Sequence, residues 1–208
     1  MQTILSEFKG SMERIKNNFV LSFLTINFIN QRPFNNDVVL PIEEFSHKFI
    51  TARALNSFDV DGIQEYANSI RRHFLNDIVI VYERYSMLMF VSHKNNRCRI
   101  EPCFISDSNV GAHNFEQVSK VYSQDDMTFL IQLRRLRNCI VHFNGMYSST
   151  NVLDYVFGTQ KYESKRNEGN KISIEFDNIL WIYDKLMNII ECGNDSYFKN
   201  YSINKISA

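Results

Sequence analysis

At 208 residues the chain is long enough for one sizeable domain, and its 44% apolar share supplies a core of ordinary size. Seventeen Phe and 10 Tyr stand against only 7 Gly and 3 Pro, too few turn formers for an all-β protein, which leaves long helices. The 23 basic and 23 acidic residues cancel, so the whole molecule is no polyanion-binding surface, and any contact with nucleic acid must come from a local patch.

From the N-terminus, Ile4, Phe8, Met12, Ile15, Phe19, Phe23 and Ile26 recur every three or four residues, which predicts one amphipathic helix over about 1–30, ending before Pro33. Its most apolar run, 19–29, is broken by Ser22, Thr25 and Asn27 and falls short of the ~20 apolar residues a membrane span needs. A polar connection over 31–40 leads to Pro41, Glu43 and Glu44, a favourable helix start, with Phe45, Phe49, Ala52 and Leu55 as the stripe of a second helix. Asp59 is an N-cap candidate for a third. Ile63, Tyr66, Ile70, Phe74, Ile78, Val81, Tyr85 and then Leu88 or Met89 carry it for roughly thirty residues, fading into polar 93–97. Residues 99–121 keep no period and read as a long loop, a length usually found where a loop is functional or mobile.

Ser123-Gln124-Asp125-Asp126 resembles a capping box and opens a fourth helix through Met127, Phe129, Leu130 and Leu133, with Gly145 at its end. Two short strands around Asn167-Glu168-Gly169-Asn170 suggest a hairpin within 156–176. Asp177 then caps a last helix with Ile179, Ile182, Tyr183, Leu186 and Ile190 inward, closed by Gly193 and followed by a polar tail from Asn194. The fold expected is mainly α: one domain over 1–208, a bundle of about five helices with a small β-hairpin inserted before the last.

Cys98, Cys103, Cys139 and Cys192 form no disulfide framework, and no signal peptide pattern precedes them, so a reducing cytoplasm is the expected location. His93, Cys98, Cys103 and His113 lack the close Cys pairs of structural zinc sites. No Gly-rich phosphate loop occurs, so neither metal nor nucleotide cofactor is expected.

Stretch 133–145 comes closest to looking like a site. Leu133, Leu136, Ile140 and Val141 keep a helical beat, while Arg134, Asn138 and His142, spaced i, i+4, i+8, share another face. Arg137 lies five residues before His142, roughly 140° around an ideal helix, so the two meet on one ligand only near the helix end or with a second subunit's help. The helix macrodipole alone favours cations at this end, and a His beside a buried stripe is commonly a satisfied structural residue. Spacing therefore leaves a structural role, catalysis and ligand binding all open.

Arg137-Asn138-Cys139-Ile140-Val141-His142 resembles the Arg-x4-His motif of the HEPN superfamily, including the Asn that often follows the Arg. The setting is similar too, a helical bundle with the motif on a late helix and one helix after it. The resemblance implies a metal-independent endoribonuclease acting as a homodimer with a composite cleft. It further implies a toxin or defence effector whose partners are RNA and an antitoxin or regulatory protein. His142 would carry the proton transfers, its unperturbed pKa of ~6.5 suiting that work. Arg137 would hold phosphate oxygens, Asn138 would orient the ring or donate to phosphate, and Arg134 and Arg135 would contact the RNA backbone. Asn144 stands where some family toxins carry a Tyr two residues after the His, so nucleotide transfer onto that position is not expected. Members without activity serve as non-catalytic RNA- or protein-binding dimerisation modules, the alternative reading.

Two lesser features accompany the motif. Lys161, Lys165, Arg166 and Lys171, diluted by Glu163 and Glu168, are secondary candidates for phosphate contact. Tyr147 is placed either to stack on a base or to pack.

Overall fold

A computed structural model describes residues 2–31, 33–36, 38–39, 49–57, 59–97 and 119–206. Four long helices dominate it: α1 (Gln2–Ile29), α3 (Val60–Arg97), α4 (Gln124–His142) and α6 (Phe176–Ile206). Two short helices, α2 (Ala52–Asn56) and α5 (Ser164–Asn167), and two antiparallel strand pairs complete the described residues. The fold is mainly α, as composition and periodicity predict. No helix among the described residues is long and apolar enough to cross a membrane.

The spine is α3, which touches α1, α4 and α6. Contact on more than one side explains why two adjacent stripes of it are buried, Phe74, Ile78, Tyr82, Tyr85 and Met89 beside Leu75 and Val79. Removing each such side chain from water contributes about 1.5–3 kcal/mol. From α1, Phe8, Met12, Phe19 and Ile26 enter the core. Phe19 stacks on Phe74 at 4.1 Å and on Phe176 of α6 at 5.5 Å, and Phe8 meets Tyr85 at 4.9 Å, so aromatic rings join three of the helices. The expected caps form: the Asp59 carboxylate accepts from Gly62 N–H, and Ser123 Oγ accepts from Asp126 N–H at 3.1 Å. The Asp126 carboxylate also holds Lys185 at 3.2 Å, fastening the start of α4 to α6.

Three expectations need correction. The second helix does not run from Pro41 through Leu55. Phe49–Ile50 is a strand, β2, paired with β1 (Val38–Val39), and helix begins only at Ala52, where the Thr51 side chain accepts from Ala54 N–H. A Phe-Ile-Thr run favours extended backbone and Thr is a good cap, so this junction is locally consistent. Pro41, Glu43, Glu44 and Phe45 lie outside the described residues, as does all but the end of the loop expected over 99–121.

The hairpin turns at Gly158-Thr159, not at 167–170. Strands β3 (Asp154–Phe157) and β4 (Gln160–Glu163) pair Phe157 with Gln160 across a two-residue loop. Gly158 takes φ +61°, and the Asn178 side-chain oxygen accepts from Thr159 N–H at 3.0 Å, binding the loop to α6. Residues 167–170 do turn, but against the chain after α4: Tyr147 N–H donates to Asn170 and Gly169 N–H to Tyr147.

The last helix does not stop at Gly193. It continues to Ile206, so the supposed tail is helical, with Asn194 and Tyr197 buried and His93 Nδ1 2.7 Å from the Tyr197 hydroxyl. The glycine marks a close approach instead, because a Cβ at position 193 would overlap the Tyr122 ring. Replacing a helix-interior glycine with alanine ordinarily gains about 1 kcal/mol. Here Gly193→Ala is expected to lower the urea midpoint, whereas in a Tyr122→Ala background the same substitution raises it. An equal effect in both backgrounds would place the constraint elsewhere.

Candidate active site

Helix α4 turns two different sides to its surroundings. Phe129, Leu130, Leu133, Leu136 and Cys139 are buried in the core. Ile131, Arg135, Asn138 and His142, spaced i, i+4, i+7, i+11, form a half-buried to exposed outer stripe. Arg134 and Arg137 sit between these sides.

Both of these arginines meet the same carboxylate. Arg137 Nη2 donates to the two oxygens of Glu83 on α3, 2.6 Å from each. Arg134 Nε lies 3.9 Å from Glu83 Oε1, its Nη2 donates to the Tyr82 hydroxyl at 2.8 Å, and its guanidinium covers the Tyr82 ring at 5.1 Å. Arg134 is only 7% exposed, so its charge works inside the bundle, not as the surface phosphate contact expected of it. Arg137 keeps 17% of its side chain exposed and Glu83 30%. The Glu83 interaction engages only Nη2 of the Arg137 guanidinium, and Nε is buried with no hydrogen-bond partner among the described residues.

Glu83 is the residue that sequence reasoning missed. It lies 54 positions from Arg137 and has no motif of its own. The available signal was a lone acid directly beside the inward stripe of α3, next to Tyr82.

His142 is the last residue of α4 and is exposed. The chain reverses at once through Asn144 (φ +52°) and Gly145 (φ +74°), whose N–H donates to the carbonyls of Cys139 and Ile140. Gly145 thus ends the helix as expected, and its carbonyl accepts from Ile172 N–H at 2.6 Å. His142 stands on a locked helix end. Its ring, the Asn138 amide and the Arg135 guanidinium make no hydrogen bond or ion pair among the described residues. No hydrogen bond joins Arg137 to His142 within the chain, in keeping with their angular separation. Ile80, half exposed one turn before Glu83, and Val141, half exposed one turn after Arg137, border the two arginine contacts.

The other candidates are placed as follows. The Cys139 thiol is buried and accepts from Asn151 Nδ2 at 3.0 Å, and burial pushes its pKa up, so it stays protonated and unsuited to nucleophilic attack. Tyr147 is half-buried against the core, with burial pushing its hydroxyl up, which favours packing. Lys161 and Arg166 pair with Glu163 at 3.2 and 3.5 Å, whereas Lys171 lies apart from the hairpin, 3.9 Å from Glu65 of α3. Of the four residues weighed for zinc, His93 meets Tyr197, while Cys98, Cys103 and His113 lie outside the described residues. Among the described residues no group of three or more His, Cys, Asp or Glu could hold a metal ion.

Two clefts of similar size open on α3. One, of about 480 Å³, lies against α1 and is lined by Glu7, Arg14, Arg84 and Tyr85, away from the motif. The other, of about 460 Å³, lies against the end of α4 and includes Val141 and Asn144, on either side of His142 in sequence. Only the second can share a ligand with the motif.

No family model matches the chain, and no curated protein or solved structure shows significant similarity to it.

The partial burial of the Glu83–Arg137 pair places its strength between a surface ion pair and an interior one. A double-mutant cycle with Glu83→Ala and Arg137→Ala, followed by urea unfolding, is expected to give a coupling of about 1–2 kcal/mol. A coupling near zero would show that the contact holds neither helix.

Proposed function

We propose that the chain is a HEPN-type, metal-independent endoribonuclease that works as a homodimer in the cytoplasm, as a toxin or defence effector restrained by a partner protein. The observation that carries the reading is the division of α4. Arg137 is braced by Glu83 through a single guanidinium nitrogen, while the side chains of Arg135, Asn138 and His142 stand outward with no hydrogen-bond or ion-pair partner among the described residues. Polar side chains held on a rigid helix without internal partners suit a ligand of opposite charge.

RNA supplies its own nucleophile. The 2′-hydroxyl oxygen bonds to phosphorus as its proton leaves to a base, the bond to the 5′-oxygen breaks, and that oxygen takes up a proton. The products carry a 2′,3′-cyclic phosphate and a 5′-hydroxyl. His142 of one subunit accepts the first proton, and the partner subunit's His142, protonated, supplies the second. Arg137 remains cationic throughout and stabilises the charge that builds on the phosphoryl oxygens. Asn138, one turn before His142, donates to phosphate or orients the ring, and Arg135 contacts the strand. A dimer across the outer face of α4 brings together two Arg-His pairs, which removes the angular difficulty within one chain. Ile80 and Val141 give such a contact apolar surface to bury.

One observation favours a second reading, a non-catalytic module that binds RNA or a protein through the same face. The carboxylate on Arg137 already neutralises much of its charge.

Incubation of the purified protein with mixed RNA in excess EDTA separates these readings. Cleavage leaving cyclic-phosphate ends is expected from the wild type. His142→Ala should lose about 10²–10⁴-fold in rate and Arg137→Gln about 10²–10³-fold. Light scattering should show a dimer. Undiminished cleavage by both variants would overturn the assignment, and RNA retention by an uncut dimer would establish the second reading.

A further inference from the structure

The cleft between α3 and the end of α4 has a construction that the motif does not require. Glu65, Ser69, Arg72, His73 and Asn76 line it from α3, and Lys171 closes it from the segment after α5. Arg72 does not swing freely. Its Nη2 is held by Glu65 at 2.7 Å, and its Nη1 lies 2.9 Å from where a Cβ on Gly145 would stand. The guanidinium therefore crosses the turn that ends α4, in space kept open by a glycine at φ +74°. Lys171 approaches the same Glu65 carboxylate at 3.9 Å, and the two cations together hold that carboxyl below its usual range. One acid thus holds two cations side by side, and a net positive charge is left over. His73 Nδ1 lies 2.9 Å from the Ser69 carbonyl, so it carries a hydrogen there and Nε2 is left for a ligand. Asn76 and Asn144 add amides that both donate and accept.

Paired cations, a His anchored through Nδ1 and two amides in a cleft walled by Ile140 and Val141 match a phosphodiester with its ribose and base. We propose that this cleft seats the RNA strand flanking the cleavage point, with Arg72 and Lys171 on its phosphate and His73, Asn76 and Asn144 on its sugar or base. The assignment rests on the ribonuclease reading and extends it, since Val141 in the cleft wall adjoins His142. A strand leaving the catalytic helix end enters this cleft first.

The test is fluorescence-anisotropy binding of a 2′-O-methyl oligonucleotide, which cannot be cleaved through its 2′-oxygen, over a range of salt. Lys171→Gln and Arg72→Gln should each weaken binding several-fold and lower the salt slope by about one. His73→Ala should weaken binding with the slope unchanged, and Lys9→Gln on α1 should do neither. Lys171 is 70% exposed, so its substitution reports on binding even where Arg72→Gln disturbs the α4 turn. Wild-type affinity and slope in both cation variants, with His142→Ala still inactive on cleavable RNA, would overturn the cleft assignment and leave the ribonuclease reading standing. A mononucleotide bound as tightly as the oligonucleotide would overturn the strand assignment in favour of a small-molecule phosphate site. A wild type that neither binds nor cuts RNA would remove both proposals.

Discussion

Glu83 is where the two central helices are fixed against one another. Arg134 and Arg137 lie one turn apart on α4, where two positive charges at the edge of a core repel and are costly to strip of water. A single carboxylate from α3 meets both, and the Tyr82 hydroxyl and ring also hold Arg134. Rotating α4 by one residue, about 100°, would break these contacts and bring the core-facing leucines to the surface. The electrostatic contact and the apolar stripe therefore specify the same rotation of the helix, and agreement between levels is what makes a packing arrangement unique.

That rotation decides which polar groups remain for a ligand. With Arg134 and Arg137 at the edge that faces α3, Asn138 and His142, about 40° and 80° further round from Arg134 on an ideal helix, come out half-buried and exposed, and Arg135 joins them. The helix end is fixed as well, by the Gly145 turn, its bond from Ile172 and the Arg72 guanidinium across it. An exposed histidine on a frayed terminus would sample many positions. On this one the ring makes no hydrogen bond among the described residues while its backbone is held, the combination that the proposed proton transfer would need.

Much of this was legible in the residues, and what was not has definite causes. The stripes of α1, α3 and α4 could be read because their period repeats over many turns, and Ser123 and Gly145 because caps are local chemistry. Arg137, Asn138 and His142 could be singled out as candidates from six consecutive residues, but not the turn of Arg137 toward Glu83. Glu83 was not legible, since a contact across 54 residues leaves no mark in either segment. Gly193 was misread because a glycine that admits a neighbouring ring looks, in sequence, like one that ends a helix. The turn at Gly158-Thr159 lost out to the stronger Asn-Glu-Gly-Asn signal, which does form a turn but serves a different pairing. The Phe49–Ile50 strand was assigned to a helix because an apolar pair fits either period when the run is short.

The electrostatics of a chain with no net charge also acquire a pattern here. Glu65 and Glu83 are 18 residues apart on α3, five full turns, so both project from one face about 27 Å apart. Each holds an arginine close to α4: Glu65 holds Arg72, which lies across the helix end, and Glu83 holds Arg137. Such a carboxylate reduces the field of its arginine at long range but sets the position of the guanidinium at short range. Far from the protein the charges cancel, consistent with the overall balance. Within a Debye length of about 8–10 Å, the positions of individual N–H groups still matter. On the proposed ribonuclease reading, a phosphate would replace or share a carboxylate already at hydrogen-bond distance, so the arginine would need little reorganisation to receive it. The arrangement lowers non-specific attraction to polyanions while it keeps both guanidinium groups in set positions beside α4, which is the geometry the proposed strand binding would use.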